Sequence, residues 1–306
     1  MSGNNVLRIR TIAEFHKYKG LAPPRHPLIS IINYGDTKCR EETEPVNLVV
    51  EFYNIAVKRG IGAKYKYGQQ QYDFDEGVMF FLGPNQVFGV EATPPQQAQR
   101  TGWMLLFHPD LLWGTHLATH IRKYDYFDYE VNEALFLSDE EEQTLNTLIE
   151  NIRQEINRNT DQFSQHIIVS LIETLLNYSD RFYKRQFITR RIANHQILDR
   201  LEKLLDNYFV SDDLAQKGLP SVQYLAEALN LSPSYLSALL KELTGQTTQQ
   251  HIHGKLIAKA KEKLSTTDLT VSEIAYALGF GQSQSFSKLF KIKTKQSPLE
   301  FRQSFN

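Results

Sequence analysis

VSEIAYALGFGQSQSFSKLFKIKTKQSPLEFRQSF, residues 271–305, holds two short helical patterns on either side of a glycine. Val271, Ile274, Ala275 and Leu278 recur at i, i+3, i+4 and i+7, which is one apolar helix face. Thr270 stands where a helix cap belongs, and Glu273, three residues on, completes a capping box. Gly279 stops the helix, because glycine accepts a left-handed backbone without steric penalty. Phe280 is placed to plug the corner. A second apolar face follows at Phe286, Leu289 and Phe290. Its outward side carries Gln282, Ser283, Gln284, Ser287, Lys288 and Lys291. The pattern is that of a helix-turn-helix: one helix braces, the other offers amides, hydroxyls and ammoniums to a DNA groove. Glutamine can pair two-pronged with adenine, lysine can reach guanine or phosphate, and serine serves either.

The pattern occurs twice. Val222, Leu225, Ala226 and Leu229 match Val271, Ile274, Ala275 and Leu278 at an offset of about 49 residues. Leu236, Leu240 and Lys241 match Phe286, Phe290 and Lys291 one residue further apart, so the second turn is the longer. Ser232-Pro233 opens the upstream second helix with a cap and a proline at the first helical position. Between the copies, residues 247–265 carry an apolar stripe of Ile252, Leu256, Ala260 and Leu264. Lys255, Lys259, Lys261 and Lys263 add charge. A helix of that length spans roughly 28 Å, enough to set two reading helices about one DNA turn, roughly 34 Å, apart.

The segments LSPSYLSALLKELTG (231–245), VSEIAYALGF (271–280), FSKLFK (286–291) and SPLEFR (297–302) make residues 195–306 resemble the DNA-binding domain of AraC/XylS-family transcriptional regulators. The resemblance implies a bipartite all-α domain of seven helices. Helix-turn-helix units at about 221–244 and 270–293 are joined by the linker helix 247–265, and the third and sixth helices enter successive major grooves. The family usually has glycine near position 295. This chain has Lys295, while Gly245 keeps that role in the first copy. Lys295 either takes a left-handed backbone, at about 1–2 kcal/mol, or the helix ends differently.

Base readout is assigned mainly to the second unit, at Gln282, Ser283, Gln284, Ser287 and Lys288. The first unit offers Ser234, Tyr235, Ser237 and Ala238. Family members often present a large polar or arginine side chain where this chain has Ala238, so the first unit leans more on shape and phosphate contact. Lys241 and Lys291 hold equivalent places in the two copies. With Lys255 and Lys295 they are the phosphate candidates; the plainer reading is solvated helix ends.

At 306 residues the chain is long enough for two domains. The net charge of −1 is unevenly spread. Residues 190–306 carry 15 basic and 11 acidic side chains, roughly +4, leaving the remainder at roughly −5. That excess suits a DNA-binding half without proving one. Cys39 is the single cysteine, which excludes an internal disulfide and fits a reducing cytoplasm. The opening MSGNNVLRIR is followed by no apolar core, so it does not read as a signal peptide. No apolar run approaches the ~20 residues needed to cross a bilayer. A cytoplasmic location with no membrane partner is expected.

Residues 1–135 read as short strands and turns: 28–34, 46–57, 64–67, 78–82, 86–90 and 102–107, with a turn at Gly83-Pro84-Asn85. Such spacing predicts a sandwich or small barrel. By its position, and through FLGPNQVFGVE (81–91) and GWMLLFHPDLL (102–112), this half resembles the cupin-like, effector-binding barrel the family often carries. Helices are expected at 138–158, with a capping box at Ser138 and Glu141, and at 161–185. The expected fold is α+β in two domains. A cupin-like barrel with a C-terminal helix pair forms an effector-sensing and dimerisation domain over 1–187. A linker at 188–194 and the all-α domain follow. The stripe Ile168, Leu171, Ile172, Leu175, Leu176 and Phe182 either packs on its own domain or forms a dimer seam. The resemblance favours the seam, through Ile168, Leu171, Ile172 and Leu175. YKRQFITRR (183–191) is either a linker touching phosphate or a polar helix end.

A cupin can also be a metalloenzyme. Here no His-x-His pair lies in a strand of the expected barrel. His116 and His120, at i and i+4, could share a metal, but two ligands without a third make a poor site. His251 and His253 diverge on a helix. Asp73, Asp75 and Glu76 read as a solvated hairpin tip, with ligand binding the alternative. There is no G-x-S-x-G, P-loop or dinucleotide fingerprint. No catalytic residue, metal site or cofactor is expected, and no pattern marks an effector pocket. The expected function is a DNA-binding transcriptional regulator that binds double-stranded DNA as a homodimer. Activation, a small-molecule effector of unknown identity and contact with RNA polymerase are expected from the resemblance. The alternatives are a cupin-type enzyme with a DNA-binding appendage, or a regulator that dimerises without sensing a ligand.

Overall fold

The computed structural model describes residues 6–37, 46–59, 66–67, 70–71, 77–90, 101–129, 133–158, 161–189, 191–210, 214 and 217–304. Cys39 and the acidic cluster Asp73, Asp75 and Glu76 lie outside them. The chain divides into two compact units, Met1–Gln186 and Phe187–Asn306. The first is rich in sheet and the second is helical, so the fold is α+β.

The N-terminal unit begins with β1 (Val6–Ile9), α1 (Ile12–Tyr18), β2 (Ile29–Asn33), β3 (Val46–Val50) and β4 (Tyr53–Arg59). The short pair β5 (Lys66–Tyr67) and β6 (Gln70–Gln71) precedes β7 (Val78–Leu82), β8 (Val87–Val90) and β9 (Thr101–Phe107). Then come α2 (Leu117–His120), β10 (Leu135–Phe136), α3 (Asp139–Asn157) and α4 (Ser164–Thr189). Five strands form an antiparallel sheet in the order β10-β7-β4-β9-β2, and three form a second sheet, β1-β3-β8. The expected closed barrel is not seen among the described residues; the strands fall in separate sheets. The expected run 46–57 is two strands broken at Glu51-Phe52, which pair with different sheets.

Helix α1 contradicts the all-strand reading of this half. Thr11 accepts from the Glu14 N–H and Glu14 answers to the Thr11 backbone, a complete capping box. The helix buries Ile12 and Phe15 in one core with Ile9, Leu48, Val50, Phe52, Met104 and Leu106, drawn from both sheets. The other side of the five-stranded sheet is aromatic. Tyr53 stacks on Phe107 at 4.9 Å between centroids, and Phe81 meets Tyr126 at 4.4 Å. The Tyr126 hydroxyl donates to the Leu176 carbonyl at 2.8 Å, fastening α4 onto this side. Burial holds the Tyr126 phenol far above its ordinary pKa. Helix α3 is joined to the sheet by Arg59, whose guanidinium meets Glu142 at 2.7 Å.

That packing overturns the dimer-seam assignment. Ile168, Ile172 and Leu175 lie in the core of their own unit, with Ile172 and Leu175 wholly covered and Leu171 half-buried. Side chains already removed from water within one chain have no apolar area to give a partner. The large apolar residues exposed here are Phe163, just before α4, and Ile167 and Ile188 on it. Asn54 is 7% exposed, and among the described residues its Oδ1 has no hydrogen-bond partner. Such a group costs about 1–3 kcal/mol.

The C-terminal unit comprises α5 (Arg191–Val210), α6 (Val222–Leu229), α7 (Pro233–Thr244), α8 (Thr248–Thr266), α9 (Val271–Ala277), α10 (Ser283–Thr294) and α11 (Pro298–Gln303). The stretch expected as a linker, 188–194, holds the end of α4 and the start of α5. The repeat extends over three helices, not two. α6-α7-α8 and α9-α10-α11 share their caps: Ser221 and Thr270, Thr247 and Ser297, with Gln250 and Glu300 closing the matching capping boxes. Ile274, Ala275, Leu278, Phe286 and Phe290 are all fully buried, as the spacing predicts. Phe280 packs edge-on against Phe286 at 5.5 Å, filling the corner.

The two middle helices end alike. Gly245 sits at φ 72° and Lys295 at φ 66°, both left-handed, and each N–H returns to the carbonyl four residues back. Lys295 therefore accepts the strained backbone. Replacing Lys295 with glycine should stabilise this unit by about 1 kcal/mol. Thermal unfolding should show a rise of about 3–5 °C; a fall would mean that the lysine side chain holds more than its backbone costs.

Candidate nucleic-acid interface

Helices α7 and α10 superimpose in sequence at an offset of 50, fixed by their shared left-handed ends at Gly245 and Lys295. At that offset Ser234, Ser237, Ala238 and Lys241 correspond to Gln284, Ser287, Lys288 and Lys291. Each set falls at i, i+3, i+4 and i+7, a single helix face. The opposite faces are buried: Leu236, Leu239 and Leu240 in α7, Phe286 and Phe290 in α10. The polar set is therefore turned outward by the same packing that seats the helices.

The two faces differ in reach. In α10, Gln284 and Lys288 are exposed and Ser287 is half-exposed. Gln282 caps the helix by position, yet its side chain makes no cap bond, and Ser283 follows at the first turn. Gln282 is exposed beside the first-turn N–H groups that a helix leaves without intrahelical partners. In α7 the outward residues are short. Ser234, Ser237 and Ala238 are half-exposed, and the Ser237 hydroxyl is hydrogen-bonded to Thr248 Oγ1 at 3.1 Å. The residue equivalent to Thr248 is Pro298, which offers no hydroxyl to Ser287.

Tyr235 must be removed from the reading set. It is 0% exposed, and its ring packs edge-on against Phe187 at 5.2 Å. Its counterpart Ser285 is exposed, because nothing equivalent covers the second copy there. Ser285 was passed over in the sequence; the 50-residue offset, with tyrosine at one site and serine at the other, is the signal that separates them.

The lysines fall into two kinds. Lys241, Lys291 and Lys295 are exposed, and Lys293 adds a fourth exposed ammonium near the end of α10. Lys255, on α8, is instead ion-paired with Asp206 of α5, so its charge is partly answered within the unit. The spacer α8 is anchored at its start. The Thr244 hydroxyl donates to the Leu240 carbonyl and meets His251 Nε2 at 2.9 Å. Burial lowers the pKa of His251, favouring its neutral form. Spanning Thr248–Thr266, α8 is about 28 Å long.

Among the described residues of the N-terminal unit no comparable constellation stands. His116 and His120 stack at 3.4 Å between centroids, with His116 Nδ1 3.6 Å from Glu173. Among the described residues no group of three or more histidine, cysteine, aspartate or glutamate side chains could hold a metal ion. None of the described helices is long and apolar enough to cross a membrane.

Comparison with known proteins centres on the C-terminal unit. Residues 225–304 match a helix-turn-helix domain family. Over 121 residues, 39% of this chain and 41% of the relative, the sequence is 34% identical to the HTH-type transcriptional activator RhaS of Enterobacter sp. (strain 638). Over 79 residues, 26% of this chain and 28% of the relative, it is 40% identical to RhaS of Salmonella arizonae. The chain thus spans less than half the length of these curated relatives. Among solved structures it is similar to the C-terminal domain of the two-component response regulator yesN from Fusobacterium nucleatum, at 32% identity and a TM-score of 0.29, over 33% of this chain and 96% of that one. The C-terminal unit thus carries a helix-turn-helix domain of the kind found in AraC/XylS-family transcriptional regulators.

Proposed function

We propose that this chain is a sequence-specific transcriptional regulator that binds double-stranded DNA through α7 and α10. The observation that carries the reading is the duplicated three-helix unit, with an exposed polar face at the same register in each copy. Base recognition falls mainly to Gln282, Ser283, Gln284, Ser287 and Lys288, with Ser285 beside them. Ser234, Ser237 and Ala238 are too short to reach far, so α7 contributes shape and phosphate contact. Lys241, Lys291 and Lys295 meet phosphates; Lys255 does so only by giving up Asp206.

The N-terminal unit is read as a cupin-like sensor and dimerisation domain for a small-molecule effector, without enzymatic activity. The name of the RhaS relatives favours activation, with RNA polymerase as a further partner. A homodimer contact fits the exposed start of α4, at Ile167 and the preceding Phe163, better than its buried stripe. A cytoplasmic location follows from the role.

Salt dependence tests the phosphate assignment. Lys241→Ala and Lys291→Ala should each weaken binding to every sequence. Each should also flatten the slope of log affinity against log salt by about 0.9. Slopes equal to wild type in both variants would contradict the docking of these helix ends on the backbone.

A further inference from the structure

We propose that Ile292 is a specificity-determining residue: from the outward face of α10 it packs on the C5-methyl group of one thymine in the major groove. This rests on the reading of α10 as a DNA-reading helix.

The placement comes from the helix itself. At about 100° per residue, Ile292 lies about 40° around α10 from Lys288 and about 80° from Gln284, inside the exposed arc. The opposite side is closed by Phe286 and Phe290, which are fully buried. Ile292 is 56% exposed. Single exposed apolar residues are ordinary on a protein surface, so it is position that gives this one its meaning. Among the described residues, the other large apolar side chains exposed in this unit are Ile188, Tyr224, Leu269, Tyr276 and Leu299, and none of them is on α7 or α10.

The two copies differ here in a way that opens α10. At the offset of 50, Ser285 and Ile292 correspond to Tyr235 and Glu242. Tyr235 is wholly buried against Phe187, so this side of α7 is covered at its first turn. Ser285 is exposed. The strip Ser285, Lys288, Ile292, at i, i+3 and i+7, is therefore open along two turns of α10. In the register of Ile292 the first copy has Glu242, an exposed carboxylate that phosphates repel. Only the second copy ends its strip in a hydrocarbon side chain.

Neighbouring charge limits what can cover Ile292. Lys288, Lys291 and Lys295, at i−4, i−1 and i+3, are all exposed. Ammoniums grouped in this way call for a polyanion, and an apolar residue among them meets the apolar parts of that polyanion. In the major groove of DNA the apolar base group is the thymine methyl. Isoleucine pressed on guanine O6 and N7, adenine N6 or cytosine N4 would strip water from a group it cannot answer. Ile292 stands eight residues beyond Gln284, about 12 Å along the axis. The thymine therefore lies no more than about three to four base pairs from the base that Gln284 reads.

Uracil, which lacks only the methyl group, tests the contact. An operator selected from random DNA by the full chain is remade with each thymine of both blocks replaced by uracil in turn. Wild type should lose about fourfold in affinity at one thymine, the worth of one buried methyl group. Ile292→Ser should bind the unmodified operator about fourfold more weakly and show no loss at that uracil. Ile292→Val, which keeps hydrocarbon at the same place, should retain the loss. The core of α10 is Phe286 and Phe290, so both variants should fold as wild type does. Full wild-type affinity at every uracil overturns the proposal, as does a selected site without thymine. So does a loss that persists in Ile292→Ser, or one further than about four base pairs from the position relaxed by Gln284→Ala. A chain that selects no sequence overturns the regulator reading itself; selection without a uracil effect overturns only this proposal.

Discussion

Gly279→Ala is expected to destabilise the C-terminal unit by about 3–4 kcal/mol, enough to remove much of a domain's net stability. Two costs add. Gly279 sits at φ 81°, where a side chain costs about 1–2 kcal/mol. A Cβ there would also lie 2.6 Å from the Leu214 carbonyl oxygen and 2.9 Å from Gly218 Cα. These are backbone atoms that cannot swing away, and such overpacking costs about 1–3 kcal/mol. Two other glycines separate the terms. Gly245, at φ 72° with open space around it, should lose only the conformational part on going to alanine. Gly281, with nothing within 4 Å of a Cβ and no left-handed backbone, should be nearly neutral. Urea unfolding of the three variants gives the ranking. A Gly279→Ala chain as stable as Gly281→Ala would refute the close approach in this turn.

Gln284→Ala should remove about 1–3 kcal/mol of discrimination at one base pair while leaving the melting temperature unchanged. Gln284 is exposed and takes no part in packing. Its loss should therefore appear as relaxed preference at one position, not as weaker binding everywhere. Ser237→Ala is the matching control in the first copy. Its hydroxyl is already held by Thr248, so selectivity should change little. Binding measured against an operator and its single-base variants checks both. Uniform loss across all variants of the operator would place Gln284 on phosphate and not on a base.

Much of the C-terminal half could be read in advance because its signals are local. Caps at Thr270, Ser232 and Thr247 and the i, i+3, i+4 spacing of Ile274, Ala275 and Leu278 need no knowledge of distant contacts. Tyr235 could not be placed this way. On helix spacing alone it borders the outward face, and only its packing against Phe187, 48 positions earlier in the chain, buries it. The α4 stripe failed for the same reason. An apolar face does not say whether its cover comes from the same chain or from a second copy, and here Tyr126 and the sheet supply it. Helix α1 was missed although Thr11 and Glu14 spell a capping box, because the strand-like pattern around it set the expectation. The pairing of β2, β9, β4 and β7 depends on register, which no periodicity in the sequence reveals.

The most direct measurement is selection of bound duplexes from random DNA by the full chain at moderate salt. Two preferred blocks should emerge, with centres about 10–11 base pairs apart on one face of the duplex. The block under α10 should be the more tightly defined in base identity, since Gln284 and Lys288 outreach Ser234 and Ala238. A single short block, or no preference among sequences, would contradict the claim that both copies grip neighbouring turns.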